Sequence, residues 1–163
     1  MKTLFFQLIL SSLFINLSCT NSNSQPASEV KESKMKWSLI HAGNQCGVED
    51  AKQVLIKSQE EFDDIWQLCF QNMPAPIAKP TIDFSKEWVI GYFSGSSKGG
   101  QTYNLDDIGS TANGIKVAIT HSKPGKNCVT VASIDMHYVL ARVDHFRPDK
   151  VEYALTEKTV DCN

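Results

Sequence analysis

Four histidines, five cysteines and one glycine-rich run are the residues of this 163-residue chain whose types could do chemistry. Two of the histidines, among His41, His121, His137 and His145, stand next to a carboxylate, in Asp135-Met136-His137 and Asp144-His145. A carboxylate beside an imidazole is the start of a metal site or of a general base. No HExxH or comparable ligand spacing accompanies them, and Asp135 and His137, two apart, simply share one face of a strand. Polar residues satisfied by neighbours or solvent are the plainer reading, so no metal is expected. Residues 95–102 read Gly-Ser-Ser-Lys-Gly-Gly-Gln-Thr, close to a phosphate-cradling loop. Gln101, however, stands where the phosphate-binding lysine belongs. Tyr103-Asn104-Leu105 then reads as strand, where a helix N-terminus would have to meet the phosphates. Neither a nucleotide nor any other cofactor is expected. In Gly91-Tyr92-Phe93-Ser94-Gly95 the serine comes one place too late for a nucleophile elbow.

Setting Cys19 aside, Cys46, Cys69, Cys128 and Cys162 remain, and none belongs to a CxxC pair. A zinc ribbon or a thioredoxin-type centre is therefore not indicated. An even number of cysteines in an oxidising compartment suggests two disulfides, with three pairings possible. Cys46–Cys69 and Cys128–Cys162 are preferred, because each joins neighbours within one half of the domain. Each closed loop then adds roughly 3–4 kcal/mol on the chain-entropy estimate. A cysteine–histidine catalytic pair would need a thiol left free.

The elements that must hold these residues follow from periodicity. Residues 36–42 and 52–57 have strand-like apolar patterns. Ser58-Gln59-Glu60-Glu61 reads as a capping box, and Phe62, Ile65, Trp66, Cys69 and Phe70 then fall on one helix face. Pro74, Pro76 and Pro80 forbid its continuation. Residues 87–93 are apolar on both faces, as a central, doubly covered strand requires. Asn113-Gly114 predicts a hairpin turn, with Ile115, Val117 and Ile119 alternating inward. Pro124-Gly125 marks another turn. Residues 129–134 and 138–143 read as strands or one long bent strand, and Val151, Tyr153 and Leu155 as the last. The expected fold class is α+β: a largely antiparallel, curled sheet with one packed amphipathic helix.

The start of the chain gives its address. Lys2 precedes a nearly unbroken apolar run over residues 4–15, too short to span a bilayer and fitting the core of a signal peptide. Ser18 and Cys19 follow, in the manner of a lipobox, although Asn16 stands where leucine is usual. Residues 1–18 are thus expected to be a lipoprotein signal peptide and Cys19 the lipidated first residue. Acyl chains anchor firmly, at roughly 0.8 kcal/mol per buried methylene. Residues 20–35 offer almost nothing apolar to bury and read as a flexible tether. Residues 36–163 are the size of one domain. The expected setting is the cell envelope, on the periplasmic face or the outer membrane, with the lipid anchor as the membrane contact. A formal net charge of −2 without a basic cluster argues against nucleic acid as a partner.

Taken together, these residues resemble the C-terminal domain family of PrcB-like subunits of a surface protease complex. The resemblance rests on Val54-Leu55-Ile56, Trp66 in the helix and Asp83-Phe84-Ser85. It continues through the run from Val89 to Gly95, Gly99-Gly100, Tyr103, Pro124-Gly125 and His137-Tyr138-Val139. It covers most of residues 47–163, with short individual motifs. Gln101-Thr102 intervene where the family often has Gly-Tyr directly, and Asp135 or Met136 stands where it commonly has proline before the histidine strand. The resemblance implies an accessory module without catalysis of its own, stabilising or regulating an envelope protease or another protein complex. Gly95, Ser96, Ser97, Lys98, Gly99, Gly100 and Tyr103 are the expected partner-binding loop. Bulky residues at Gly99 and Gly100 are expected to abolish partner capture and leave the fold intact. The alternatives are a hydrolase built on a cysteine or serine with a histidine, and a purely structural envelope lipoprotein.

Overall fold

The computed structural model describes residues 33–71, 73 and 75–162. Residues 1–32, which include the expected signal peptide, the expected lipidation site Cys19 and most of the expected tether, lie outside the described residues. Ordered structure is present ahead of residue 36, the expected start of the domain. Strand β1 (Ser33–Lys34) pairs with a later strand, and Met35 packs against the core. A polar run that finds a sheet edge can order there, because the ladder hydrogen bonds offset the entropy that its side chains could not.

Helix α1 (Gln59–Phe70) forms where its capping residues place it. Ser58 Oγ accepts from Glu61 N at 3.2 Å, and the Glu61 carboxylate turns back to accept from Lys57 N at 2.7 Å. The return bond thus reaches one residue beyond the N-cap. Glu60 and Glu61 lie in the first turn, where negative charge favours the exposed N–H ends. Phe62, Ile65, Trp66, Cys69 and Phe70 are all buried on one face, as the spacing predicts.

Seven further strands follow β1: β2 (Trp37–Gly43), β3 (Lys52–Ile56), β4 (Glu87–Lys98), β5 (Thr102–Thr111), β6 (Gly114–Pro124), β7 (Ile134–Asp144) and β8 (Val151–Val160). They build two four-stranded sheets, ordered β2-β7-β4-β3 and β1-β5-β6-β8. All pairings are antiparallel except β6 with β8. The fold is α+β, but one curled sheet is replaced by two stacked ones. The reason lies in β4 and β7. Val89, Phe93, Tyr138 and Leu140 face the helix, whereas Trp88, Ile90, Tyr92, Val139, Ala141 and Val143 face Ile108, Ile115, Val117 and Ile119 of the second sheet. A sheet apolar on both faces needs a cover on each, and α1 covers only one.

Two polar contacts stitch the sheets at opposite edges. Trp37 Nε1 donates to Asp107 Oδ1 at 3.2 Å, and Tyr153 Oη lies 3.2 Å from both Val54 O and Gly91 O. Burial raises the Tyr153 phenol above its ordinary value, so it remains a donor. The cysteines pair as Cys46–Cys69 and Cys128–Cys162. The first pair is buried and ties the β2–β3 connection to the end of α1, where Gly47 N also donates to Leu68 O at 3.1 Å.

Two local expectations are corrected. The hairpin turn sits at residues 112–113, with Thr111 opposite Gly114, one place before the Asn113-Gly114 turn that the sequence suggested. A bulge between Leu105 and Asp107 then shifts the register. The extra Asp106 is fixed by Thr120 Oγ1, which donates to it at 2.7 Å. Residues 129–133 are not strand, since β7 starts only at Ile134; the apolar alternation there faces solvent.

Phe62 is fully buried, so Phe62→Ala is expected to cost about 3–5 kcal/mol in urea unfolding. Ser58→Ala, which removes only the cap, is expected to cost about 1 kcal/mol. Equal losses at the two positions would contradict the burial of Phe62 beneath α1.

Candidate functional site

Chemistry-bearing side chains gather at one end of the sandwich, where the β4–β5 turn, the start of β7 and the segment 125–133 meet. The register places them. The β5 bulge sets Tyr103 opposite His121 of β6, and their rings stack at 4.1 Å between centroids, 10° from parallel. His137, on β7 beneath, brings its ring to 5.2 Å from Tyr103. His121 Nε2 meets Gln101 Oε1 at 2.6 Å. Its Nδ1 lies 3.7 Å from Glu157 Oε1, which also holds Lys123 Nζ at 2.5 Å. His137 Nε2 lies 3.8 Å from Asp135 Oδ2 and has no hydrogen-bond partner.

Burial lowers the His121 pKa, and Lys123 adds to that effect; burial likewise lowers His137 against the opposing pull of Asp135. Both imidazoles are therefore held toward the neutral form. Two neutral rings around a phenol make an aromatic stack, not a charged site. Among the described residues no group of three His, Cys, Asp or Glu side chains converges as a metal site. Asp144 and His145 do not join this end: His145 packs on Trp88 at 4.5 Å. His41 pairs with Tyr138 Oη through Nδ1 at 2.9 Å under the helix.

The expected partner-binding loop is not a loop over most of its length. Gly95, Ser96, Ser97 and Lys98 belong to β4, and Tyr103 belongs to β5, leaving only residues 99–101 as the turn. A bulge between Phe93 and Ser96 lets β4 continue, with Gly95 at φ 69°. A Cβ at Gly95 would come within 2.6 Å of Ala51 N, so only glycine fits. Ser96 N donates to Glu49 O at 2.9 Å. Ser94 Oγ accepts from His137 N at 3.1 Å and donates to Gly95 O at 2.8 Å. That serine is engaged with backbone and meets no imidazole nitrogen in these bonds. All four domain cysteines are consumed in disulfides, which removes the thiol that a Cys–His hydrolase would use.

The segment that sequence reasoning missed lies directly against the turn. Gly99 N donates to Ser133 O at 2.9 Å, and Ser133 Oγ donates to Asp135 Oδ1 at 3.2 Å. Gly125 N donates to Val160 O at 2.8 Å, Cys128 N to Gly125 O at 3.1 Å, and Cys128 is bonded to Cys162. Fastened at both ends, the segment turns Val129, Val131 and the adjoining Ile134 outward, at 101 %, 78 % and 77 % exposure. A hollow of about 550 Å³ runs beside it, lined by Asn44, Gly100, Thr130, Val131, Ser133 and Asp135 among others. One signal was available in sequence: Pro124-Gly125 marks a turn at the start of the segment. The exposure of the valines had none, because period-two alternation looks the same whether it faces in or out.

The glycines of the turn serve this contact. A Cβ at Gly99 would meet Ser133 Oγ at 2.2 Å and Val131 O at 2.7 Å, and one at Gly100 would meet Thr130 Cγ2 at 2.8 Å. Bulky residues there would displace the 125–133 segment, not merely crowd an exposed loop. A scan of protein-family models matches none to this chain, and searches of curated proteins and of solved structures return no match.

Two measurements check this geometry. Gly99→Val is expected to speed hydrogen exchange at Ser133 and its neighbours while leaving the β4–β7 amides protected. Uniform loss of protection would show that the segment is no separate unit. A histidine whose folded pKa is depressed contributes stability above the unfolded value near about 6.5, and that stability is lost as pH falls below it. The thermal midpoint is expected to drop between about pH 7 and about pH 5, and less steeply in His137→Gln. An unchanged slope in the variant would contradict the burial of a neutral ring.

Proposed function

We propose that this protein is a non-catalytic binding module of the bacterial envelope, tethered through a lipidated Cys19, which holds another protein by the Val129–Val131–Ile134 surface. One observation carries the reading: three large apolar side chains face solvent on a segment that a disulfide and backbone hydrogen bonds hold in place. Exposed apolar residues are ordinary when scattered, but three within six residues of a fastened segment and the strand it leads into are a candidate contact surface. Fastening matters energetically. A preorganised segment loses little freedom on association, so more of the burial energy, about 1.5–3 kcal/mol for a fully covered aliphatic side chain, goes into affinity.

The residues that resemble the PrcB-like family support a protease or protease complex as the partner, with stabilisation or regulation as the effect. The contact surface in this reading is residues 129–134 with the turn beside them, not residues 95–103. Gly99 and Gly100 support it by letting the segment approach; Tyr103 stacks on His121, which bonds to Gln101 of the same turn. The pairing of all four domain cysteines favours this reading over a cysteine hydrolase.

The test is a pull-down from native membranes with the intact tagged chain, run beside a Val129→Asp/Val131→Asp variant. Both positions are exposed, so the variant is expected to keep its thermal midpoint and lose the partner by more than about tenfold. A partner retained at full yield by the variant would remove the surface from consideration. Proteolytic activity against a peptide library in the purified protein would sink the non-catalytic reading.

A further inference from the structure

Strand β8 is hydrogen-bonded along one side to β6 and has no strand on its other side among the described residues. Lys150 O accepts from Ile115 N, and Val160 O accepts from Gly125 N, so the even-numbered residues of β8 turn their backbone toward β6. Backbone groups alternate sides along a strand. The N–H and C=O of Val151, Tyr153, Leu155, Glu157 and Thr159 therefore point out of the sheet edge. An open edge of this length is a template for another strand, and proteins seldom leave one unmanaged.

The geometry points to a second copy of this chain as the occupant, with β8 pairing antiparallel to its own symmetry mate across a two-fold axis at Leu155. A two-fold contact must be self-complementary. With Leu155 opposite Leu155 of the second copy, Val151 faces Thr159, Tyr153 faces Glu157, and every outward backbone group of the five residues finds a partner. Between these hydrogen-bonded pairs, Glu152 comes directly opposite Lys158 of the second copy, and Lys158 opposite its Glu152. Those are the non-hydrogen-bonded positions, where facing side chains lie closest.

Both charges are exposed, and Lys123 already holds the nearby Glu157. Leu155, on the inward-facing row with Val151 and Tyr153 yet 47 % exposed, would be covered by its mate. Charge selects this register over its neighbours. A slip of one step toward the chain start sets Lys150 against Lys158. A slip the other way sets Glu152 against Val160 and Lys158 against Ala154. The paired β8 strands would join the two β1-β5-β6-β8 sheets into one. This self-association uses residues other than Val129, Val131 and Ile134, so it stands or falls separately from the binding surface.

Charge reversal tests it. Sedimentation equilibrium on the intact chain is expected to show a dimer. Glu152→Lys alone and Lys158→Glu alone should each weaken the dimer by about tenfold or more, since each sets like charges opposite one another twice. The double variant should restore the dimer, with far-ultraviolet circular dichroism unchanged throughout. A monomeric wild type, single variants as dimeric as wild type, or a double variant that stays monomeric would each overturn the proposal.

Discussion

The pairing of β4 with β7 is the constraint from which the rest of the molecule follows. It runs from Glu87 opposite Asp144 to Lys98 opposite Ile134, and over Trp88–Phe93 and Tyr138–Val143 both faces bury apolar side chains. A strand pair of that kind is unstable with either face in water. It needs two covers, which α1 with the β2–β3 connection supplies on one side and the β5-β6-β8 layer on the other. The Cys46–Cys69 bond and the Gly47–Leu68 hydrogen bond fix the first cover; the Trp37–Asp107 and Tyr153 contacts fix the second. The stability of each layer thus depends on the presence of the other.

The same pairing explains why the end that carries the β4–β5 turn looks as it does. To stay in contact with β7 beyond Phe93, β4 takes a bulge at Gly95, and Ser94 fills the break by bonding to His137 N and Gly95 O. The strand can then run on to Lys98, which leaves a turn of only three residues before β5. A turn so short brings its backbone against residues 130–133, and glycine at 99 and 100 is what lets the two backbones approach. The outward valines are carried on the far side of that contact. With the segment fastened at Gly125, Cys128 and Ser133, Val129 and Val131 stay in solvent.

Those histidines show how burial can turn titratable groups into packing material. His121 and His137 have carboxylates in reach, Glu157 and Asp135, yet desolvation outweighs the attraction in both. Neutral rings can stack on a phenol without confronting two positive charges with each other. The result is a polar-capped aromatic layer that supports the neighbouring turn through Gln101.

Much of the fold was legible in residue order, because it depends on contacts near in sequence. Ser58 with Glu61, and the buried spacing of Phe62, Ile65, Trp66, Cys69 and Phe70, need only the helix period to be recognised. The two-faced apolar run from Trp88 to Phe93 announced a covered strand, and the even set of cysteines, each near its partner, made the two disulfides the simplest arrangement. The sequence alone thereby determined the class of fold and its central strand and led to two disulfides as the expectation, while the choice among three pairings was made by the fold. Tertiary structure decided what faces what. Period-two alternation at Val129 and Val131 carries no sign of inside or outside, and only the fastening of the segment through Gly125, Cys128 and Ser133 leaves it in solvent. The bulge at Asp106, held by Thr120 across the hairpin, sets Tyr103 opposite His121; no local propensity specifies that shift. Local periodicity fixes which residues share a face, whereas the space left by distant neighbours fixes where that face points.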